Sequence, residues 1–162
     1  MNNKTISLLK SLIEIPSYVG EGTDESDIGN FVYDFLKKNT NLKVEKQVVE
    51  NKRFNIVAYK NPNPELMFFS HLDTVPPKDS KNKHTKPIQK DGKIFGLGSV
   101  DMKSGLAISL SIANKFKDKD NIAYIFSVDE EYEFKGAKAL VKKYKFKPKL
   151  IINPEPTSLK IL

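Results

Sequence analysis

The chain has 162 residues, of which 39% are hydrophobic and 29% charged, a length that suits one domain and a composition that excludes both disordered and membrane-type classes. It contains no cysteine, so disulfides, thiolate zinc sites and a cysteine nucleophile are excluded together, and any metal must be held by His, Asp and Glu. The net charge of +7 comes from lysines spread along the chain, with Arg53 the single arginine among 27 basic residues, which reads as a solvated surface rather than a phosphate-recognising face.

Residues 5–13 place Ile6, Leu9, Leu12 and Ile13 at helical spacing, and Pro16 ends the segment. The same stretch imitates a signal peptide only weakly, because Lys10 and Glu14 interrupt it and no small-residue cleavage site follows. No apolar run approaches the roughly 20 residues that span a bilayer, and a cytoplasmic protein is expected. Thr23 or Asp24 can cap a second helix carrying Ile28, Phe31, Val32, Phe35 and Leu36 and ending near Asn39. The period then changes. Residues 42–49 and 54–59 are rich in Val, Ile and aromatics and flank the turn-like Glu50-Asn51-Lys52, which predicts a hairpin.

Residues 66–69 are a short apolar run of the kind expected of a strand buried on both faces, and they lead directly to His71. Lys90-Asp91-Gly92 predicts a tight turn before Ile94 and Phe95. A helix is expected over residues 102–116, with Leu106, Ile108, Leu110, Ile112 and Ala113 on one apolar side. A strand over 122–128, a helix over 134–144 and a strand over 150–152 follow, and residues 158–162 read as the start of another strand. This alternation predicts an α/β fold, a mixed and largely parallel sheet flanked by helices.

Acidic residues and one histidine gather at the predicted strand ends, where α/β sheets place their ligands: His71 and Asp73, Asp101, Glu130 and Glu131, and Glu155. The steps from 71 to 101, 101 to 131 and 131 to 155 match successive strand-helix units, so one site built from four loops is the economical reading. An imidazole with several carboxylates suits a divalent cation. Each residue also has a plain structural reading. His71 alone is more often a loop histidine, Asp73 could cap the Thr74-Val75-Pro76-Pro77 turn, Asp101 could cap the next helix, and Glu155 between two prolines could be a surface residue. A phosphate loop at 96–101 is disfavoured because Asp101 stands where the third glycine would be. In an extended Glu130-Glu131 segment the two carboxylates would point opposite ways, dividing into a ligand and a free base, whereas the bland reading is a solvated acidic turn.

Taken together, Ser-His-Leu-Asp-Thr-Val-Pro-Pro at 70–77, Gly-Leu-Gly-Ser-Val-Asp-Met-Lys-Ser-Gly-Leu-Ala at 96–107, Asp-Glu-Glu at 129–131 and Glu-Pro-Thr at 155–157 resemble, in order and spacing, the motifs of the M20 metallopeptidase family, which includes acetylornithine deacetylase, succinyl-diaminopimelate desuccinylase and aminoacylase. The resemblance implies a zinc-exopeptidase-like catalytic domain with two Zn2+ per complete site, Co2+ or Mn2+ being ions the same donors accept. It assigns His71 and Glu155 to one metal, Asp101 as the bridge, Glu131 to the other metal, Glu130 as general base and Asp73 as the acid behind His71. It further implies a cis Asp101-Met102 peptide. The chain departs from the family's usual residues at Leu97, Ser104 and Tyr132, where Arg, Gly and Gly are common.

The implied activity is hydrolysis of the amide bond of N-acyl amino acids, of deacetylase or desuccinylase type, with water activated by Glu130 and the dinuclear centre. A dipeptidase or aminoacylase is the alternative within the family. A non-catalytic metal-binding fragment or interaction module is the alternative outside it. The expected partner is a small N-acyl amino acid or dipeptide, with neither nucleic acid nor membrane, and the resemblance is compatible with a homodimer of the full-length protein. Family members exceed twice this length, so residues 1–162 are expected to be the N-terminal part of the catalytic domain, without the lid or dimerisation domain and the C-terminal return segment, and inactive alone.

Overall fold

The computed structural model describes residues 3–20, 22–78, 85–158 and 160. In chain order the elements are α1 (Asn3–Glu14), α2 (Ser26–Asn39), β1 (Lys43–Glu50), β2 (Arg53–Tyr59), β3 (Leu66–His71), β4 (Ile88–Lys90), β5 (Lys93–Phe95), α3 (Lys103–Lys115), β6 (Ile122–Ser127), α4 (Lys135–Lys143) and β7 (Leu150–Ile152). The five-stranded sheet has the order β1-β2-β6-β3-β7, and β4 pairs only with β5. β1 and β6 each pair antiparallel with β2, whereas β3 pairs parallel with both β6 and β7. Four strands therefore run one way and β2 the other, which is the mixed, largely parallel α/β sheet expected.

Alternation along the strands divides two cores. Phe54, Ile56 and Ala58 of β2, Phe68 of β3 and Tyr124 and Phe126 of β6 pack with buried residues of α1, α2 and α3, including Leu12, Ile28, Leu36, Leu106 and Leu110. Val57, Met67, Ala123 and Ile125 point to the other face and meet Leu140 of α4. Each large apolar side chain buried this way contributes about 1.5–3 kcal/mol, an upper figure for area removed from water. In α3 the expected apolar stripe is displaced. Leu106, Leu110 and Ala113 are buried, but so are Lys103, Gly105, Ala107 and Ser109, while Ile108 and Ile112 are only half-buried. The helix lies against α1 and α2 as well as β3 and β6, so a wider arc is covered than a single amphipathic stripe predicts.

The second helix begins at Ser26, later than a Thr23 or Asp24 cap implies. Glu25 is at the capping position and bonds no helix N–H through its side chain, while Asp24 Oδ1 accepts from the Ser26 N–H at 2.8 Å. The β4–β5 hairpin turns through Asp91 and Gly92, both at positive φ (51° and 72°), the backbone that Asp-Gly turns supply. Ser158 and Lys160 belong to a turn closed by Lys160 N–H to Thr157 O at 3.1 Å, not to a strand; residues 159, 161 and 162, and His84, are outside the described residues. The sheet's edge strands are β1 and β7, and Leu150, Ile151 and Ile152 of β7 are all exposed.

Candidate metal centre

Parallel pairing of β6, β3 and β7 brings their carboxyl ends to one edge of the sheet. His71 is the last residue of β3, opposite Ser127 at the end of β6; Asp129, Glu130 and Glu131 follow β6, and Glu155 follows β7. Asp101 comes from the segment between β5 and α3. The six residues singled out in the sequence converge there. His71 Nε2 is 3.1 Å from Asp101 Oδ1, 3.6 Å from Glu155 Oε1 and 3.8 Å from Glu130 Oε2. His71, Asp101 and Glu131 each offer one ligand atom within 4.8 Å of the others.

The plain readings of single residues fare differently. Asp101 does not cap α3: Met102 occupies the capping position and no side chain bonds there. The Asp101-Met102 peptide is cis, as the resemblance implies. Asp73 is buried, and its Oδ2 accepts the Glu131 N–H at 2.8 Å. Its Oδ1 is 3.5 Å from His71 Nδ1 and has no hydrogen-bond partner of its own. The closer contact of His71 Nδ1 is the Asp73 backbone carbonyl at 3.0 Å. A neutral ring with Nδ1–H donating to that carbonyl would offer the Nε2 lone pair to a cation among the carboxylates; with no cation, the protonated ring donates Nε2–H to Asp101 at 3.1 Å.

The Glu130-Glu131 segment is not extended. Asp129 adopts φ 67°, the following residues form a turn, and the Phe134 N–H closes on Asp129 O at 2.7 Å. The two carboxylates consequently face the same cluster instead of opposite directions. Sequence reasoning also passed over what holds this turn. Arg53 is buried and donates to both oxygens of Glu25 at 2.7 Å and to Asp129 Oδ1 at 2.6 Å. Its one available signal was being the sole arginine. Lys103, likewise buried, donates to Ile15 O at 2.7 Å, and burial pushes its pKa down to about 7.

Electrostatically the cluster carries an excess of negative charge. Burial of Glu155, reinforced by Asp101 and Glu130 and opposed by His71, pushes its pKa up to about 7. Glu131 is raised by burial and then by Asp101. Burial of His71 disfavours its protonation, but Asp73, Glu155 and Glu130 outweigh it and raise the pKa to about 9. One imidazole nitrogen facing several crowded carboxylates is a donor set that a divalent cation relieves, and the buried Oδ1 of Asp73 lies 3.5 Å from the far nitrogen of the imidazole.

Residues 67–161, more than half of the chain, match the family model described as Peptidase family M20/M25/M40. A probable carboxypeptidase of Aspergillus flavus is 37% identical over 82% of this chain and 35% of its own length. The succinyl-diaminopimelate desuccinylase of Wolbachia pipientis subsp. Culex pipiens is 35% identical over 94% of this chain and 41% of its own length. For the acetylornithine deacetylase of Buchnera aphidicola the figures are 32%, 97% and 44%. The chain thus spans well under half the length of these relatives. In fold it resembles a tripeptidase of Staphylococcus aureus, with a TM-score of 0.71 and 24% identity over 93% of this chain and 42% of the other. It also resembles human carnosine dipeptidase 1, with a TM-score of 0.68 and 19% identity over 87% and 35%. None of the described helices is long and apolar enough to cross a membrane. The chain belongs to the peptidase family M20/M25/M40, whose members are metal-dependent hydrolases.

Proposed function

We propose that the cluster around His71 is the metal-binding part of a two-metal hydrolase that cleaves the amide bond of N-acyl amino acids, of deacetylase or desuccinylase type. The observation that carries this reading is the approach of His71 Nε2 to Asp101, Glu155 and Glu130 within 3.8 Å, with Glu131 in the same group. His71, Asp101 and Glu155 would hold one ion, and Asp101 and Glu131 the other. When bound, the divalent ions supply positive charge that lowers the proton affinity of a nearby water and polarises the substrate carbonyl.

The chain's own residues do the rest. Glu130, 33% exposed at its side chain, is open enough to take the proton from water and return it to the departing amine. Asp73 meets two proposed ligands, His71 through its backbone carbonyl at 3.0 Å from Nδ1 and Glu131 through Oδ2, which accepts the Glu131 N–H at 2.8 Å. On this reading residues 1–162 provide three ligands for one ion and two, one of them shared, for the other, and are the N-terminal part of the catalytic domain. Peptide hydrolysis is a second reading, supported by the 37% identity to a probable carboxypeptidase. Assaying the enzyme, in a form that turns over substrate, on N-acetylornithine, N-succinyl-diaminopimelate and a dipeptide panel separates the two. Turnover of the acylated amino acids over dipeptides supports the first, and the reverse order supports the second.

A further inference from the structure

We propose that Arg53 is a positioning residue of this site, its guanidinium setting the turn that presents Glu130 and Glu131. The inference rests on the reading of Glu131 as a metal ligand. Arg53 opens β2 and is 7% exposed. Its Nε and Nη2 donate to Glu25 Oε2 and Oε1, Nη2 also donates to Asp129 Oδ1, and Nη1 reaches Glu50 Oε2 at 3.0 Å on the solvent side.

The carboxylates of Glu25 and Asp129 then pass this order on to the backbone. Glu25 Oε1 accepts the Asp129 N–H at 3.0 Å, and Asp129 Oδ2 accepts the N–H groups of Glu133 and Lys135, both at 3.2 Å. Asp129 itself sits at φ 67°, a conformation that costs an L-residue energy and persists where surrounding bonds over-determine it. Further fastenings lie on either side. Asn55 Oδ1 accepts the Val128 N–H, Asn55 Nδ2 donates to Gly136 O, and Asp73 Oδ2 accepts the Glu131 N–H. Glu130 therefore lies between a residue fixed by Arg53 and a residue fixed by Asp73.

The choice of cation fits the geometry. Every other basic residue of this chain is lysine, yet the buried position bridging two carboxylates is arginine. A guanidinium can serve both oxygens of Glu25 and one of Asp129 at fixed angles, whereas an ammonium on a flexible stem cannot reproduce that fork. Removing it leaves two buried carboxylates without their cation.

The test compares zinc titrations of the 162-residue chain with those of Arg53→Lys, Glu25→Gln and, as a rim control, Glu50→Gln. Amide hydrogen exchange at Asp129, Glu131, Glu133 and Lys135 and the visible spectrum of the cobalt-loaded proteins are recorded alongside. The expected result is a fall in zinc affinity of about 10- to 100-fold in Arg53→Lys, the range typical for groups that orient ligands. Faster exchange at those amides, a changed cobalt spectrum and a Glu50→Gln protein like wild type accompany it. If Arg53→Lys does not fold, Glu25→Gln decides by the same readings. A folded variant with faster exchange but wild-type zinc affinity and cobalt spectrum overturns the inference and leaves the metal reading standing. A wild-type chain that binds no zinc overturns the metal reading, and this inference with it.

Discussion

His71 Nε2 and Asp101 Oδ1 stand 3.1 Å apart across 30 residues of sequence, one at the end of β3 and the other just before α3. The neighbour of Asp101 adds a second contact, because the His71 N–H points to the side-chain sulfur of Met102 at 3.1 Å. If Asp101 bridges two ions, Asp101→Asn should lose more zinc affinity than the roughly 10- to 100-fold expected of a group that only orients a ligand. Asp73→Asn should fall within that range. Equal, small losses in both, measured by titration of folded variants, would remove Asp101 from the ligand set.

Glu130 and Glu131 are adjacent and face the same cluster, so their roles separate by variant rather than by direction. Glu130→Gln is expected to keep its zinc and, in a form of the enzyme that turns over substrate, to lose roughly 10²–10⁴-fold in kcat as general bases do. Glu131→Gln is expected to lose zinc. Metal loss in the first with retention in the second reverses the assignment.

Gly105 lets α3 approach the chain that carries Glu155. A Cβ there would lie 2.6 Å from Pro154 O and 2.9 Å from Pro154 Cγ and Met102 Cε. Gly105→Ala improves helix propensity, yet it should destabilise the fold by about 1–3 kcal/mol in urea unfolding, because overpacking against backbone outweighs propensity. It should also weaken zinc binding by moving Glu155. An alanine variant as stable as wild type would show that the two segments separate freely.

Away from the site, hydrogen bonds from Lys43 and Tyr144 outweigh burial and hold the Glu45 carboxyl at about 2. Tyr144 Oη donates to Glu45 Oε2 at 2.6 Å and Lys43 Nζ is 2.5 Å from Oε1. A depressed folded-state pKa means that this stabilisation is complete above the unfolded value near 4.5 and is lost as pH falls toward 2. The melting temperature of Glu45→Gln should therefore lie below wild type at pH 6, with the gap narrowing steadily as pH falls from 4.5 through 2. A gap that stays constant over this range would show that the carboxylate's charge is not involved.

Much of this was legible because it follows from local pattern. β3 and β6 are buried on both faces and read as apolar runs, and alternation with helices sends their ends to one edge, so His71, Asp73, Asp101, Glu130, Glu131 and Glu155 could be gathered there before any coordinates, while their division into ligands and base came from the family resemblance. The Glu130-Glu131 turn was legible only as the alternative to an extended segment, and what holds it was not legible. Its left-handed Asp129 depends on Arg53 and Glu25, 76 and 104 residues away, and no local signal announces such partners. Ile108 and Ser109 exchanged burial for a related reason: α3 is covered by two helices as well as the sheet, which periodicity along one element does not report.

The central claim is that His71 and the surrounding carboxylates hold divalent metal. Calorimetric titration of the 162-residue chain with zinc, beside a folded His71→Ala variant, tests it most directly. The account predicts saturable binding by the wild-type chain that the variant loses. Absence of binding by the wild-type chain, or binding that His71→Ala leaves unchanged, would contradict it.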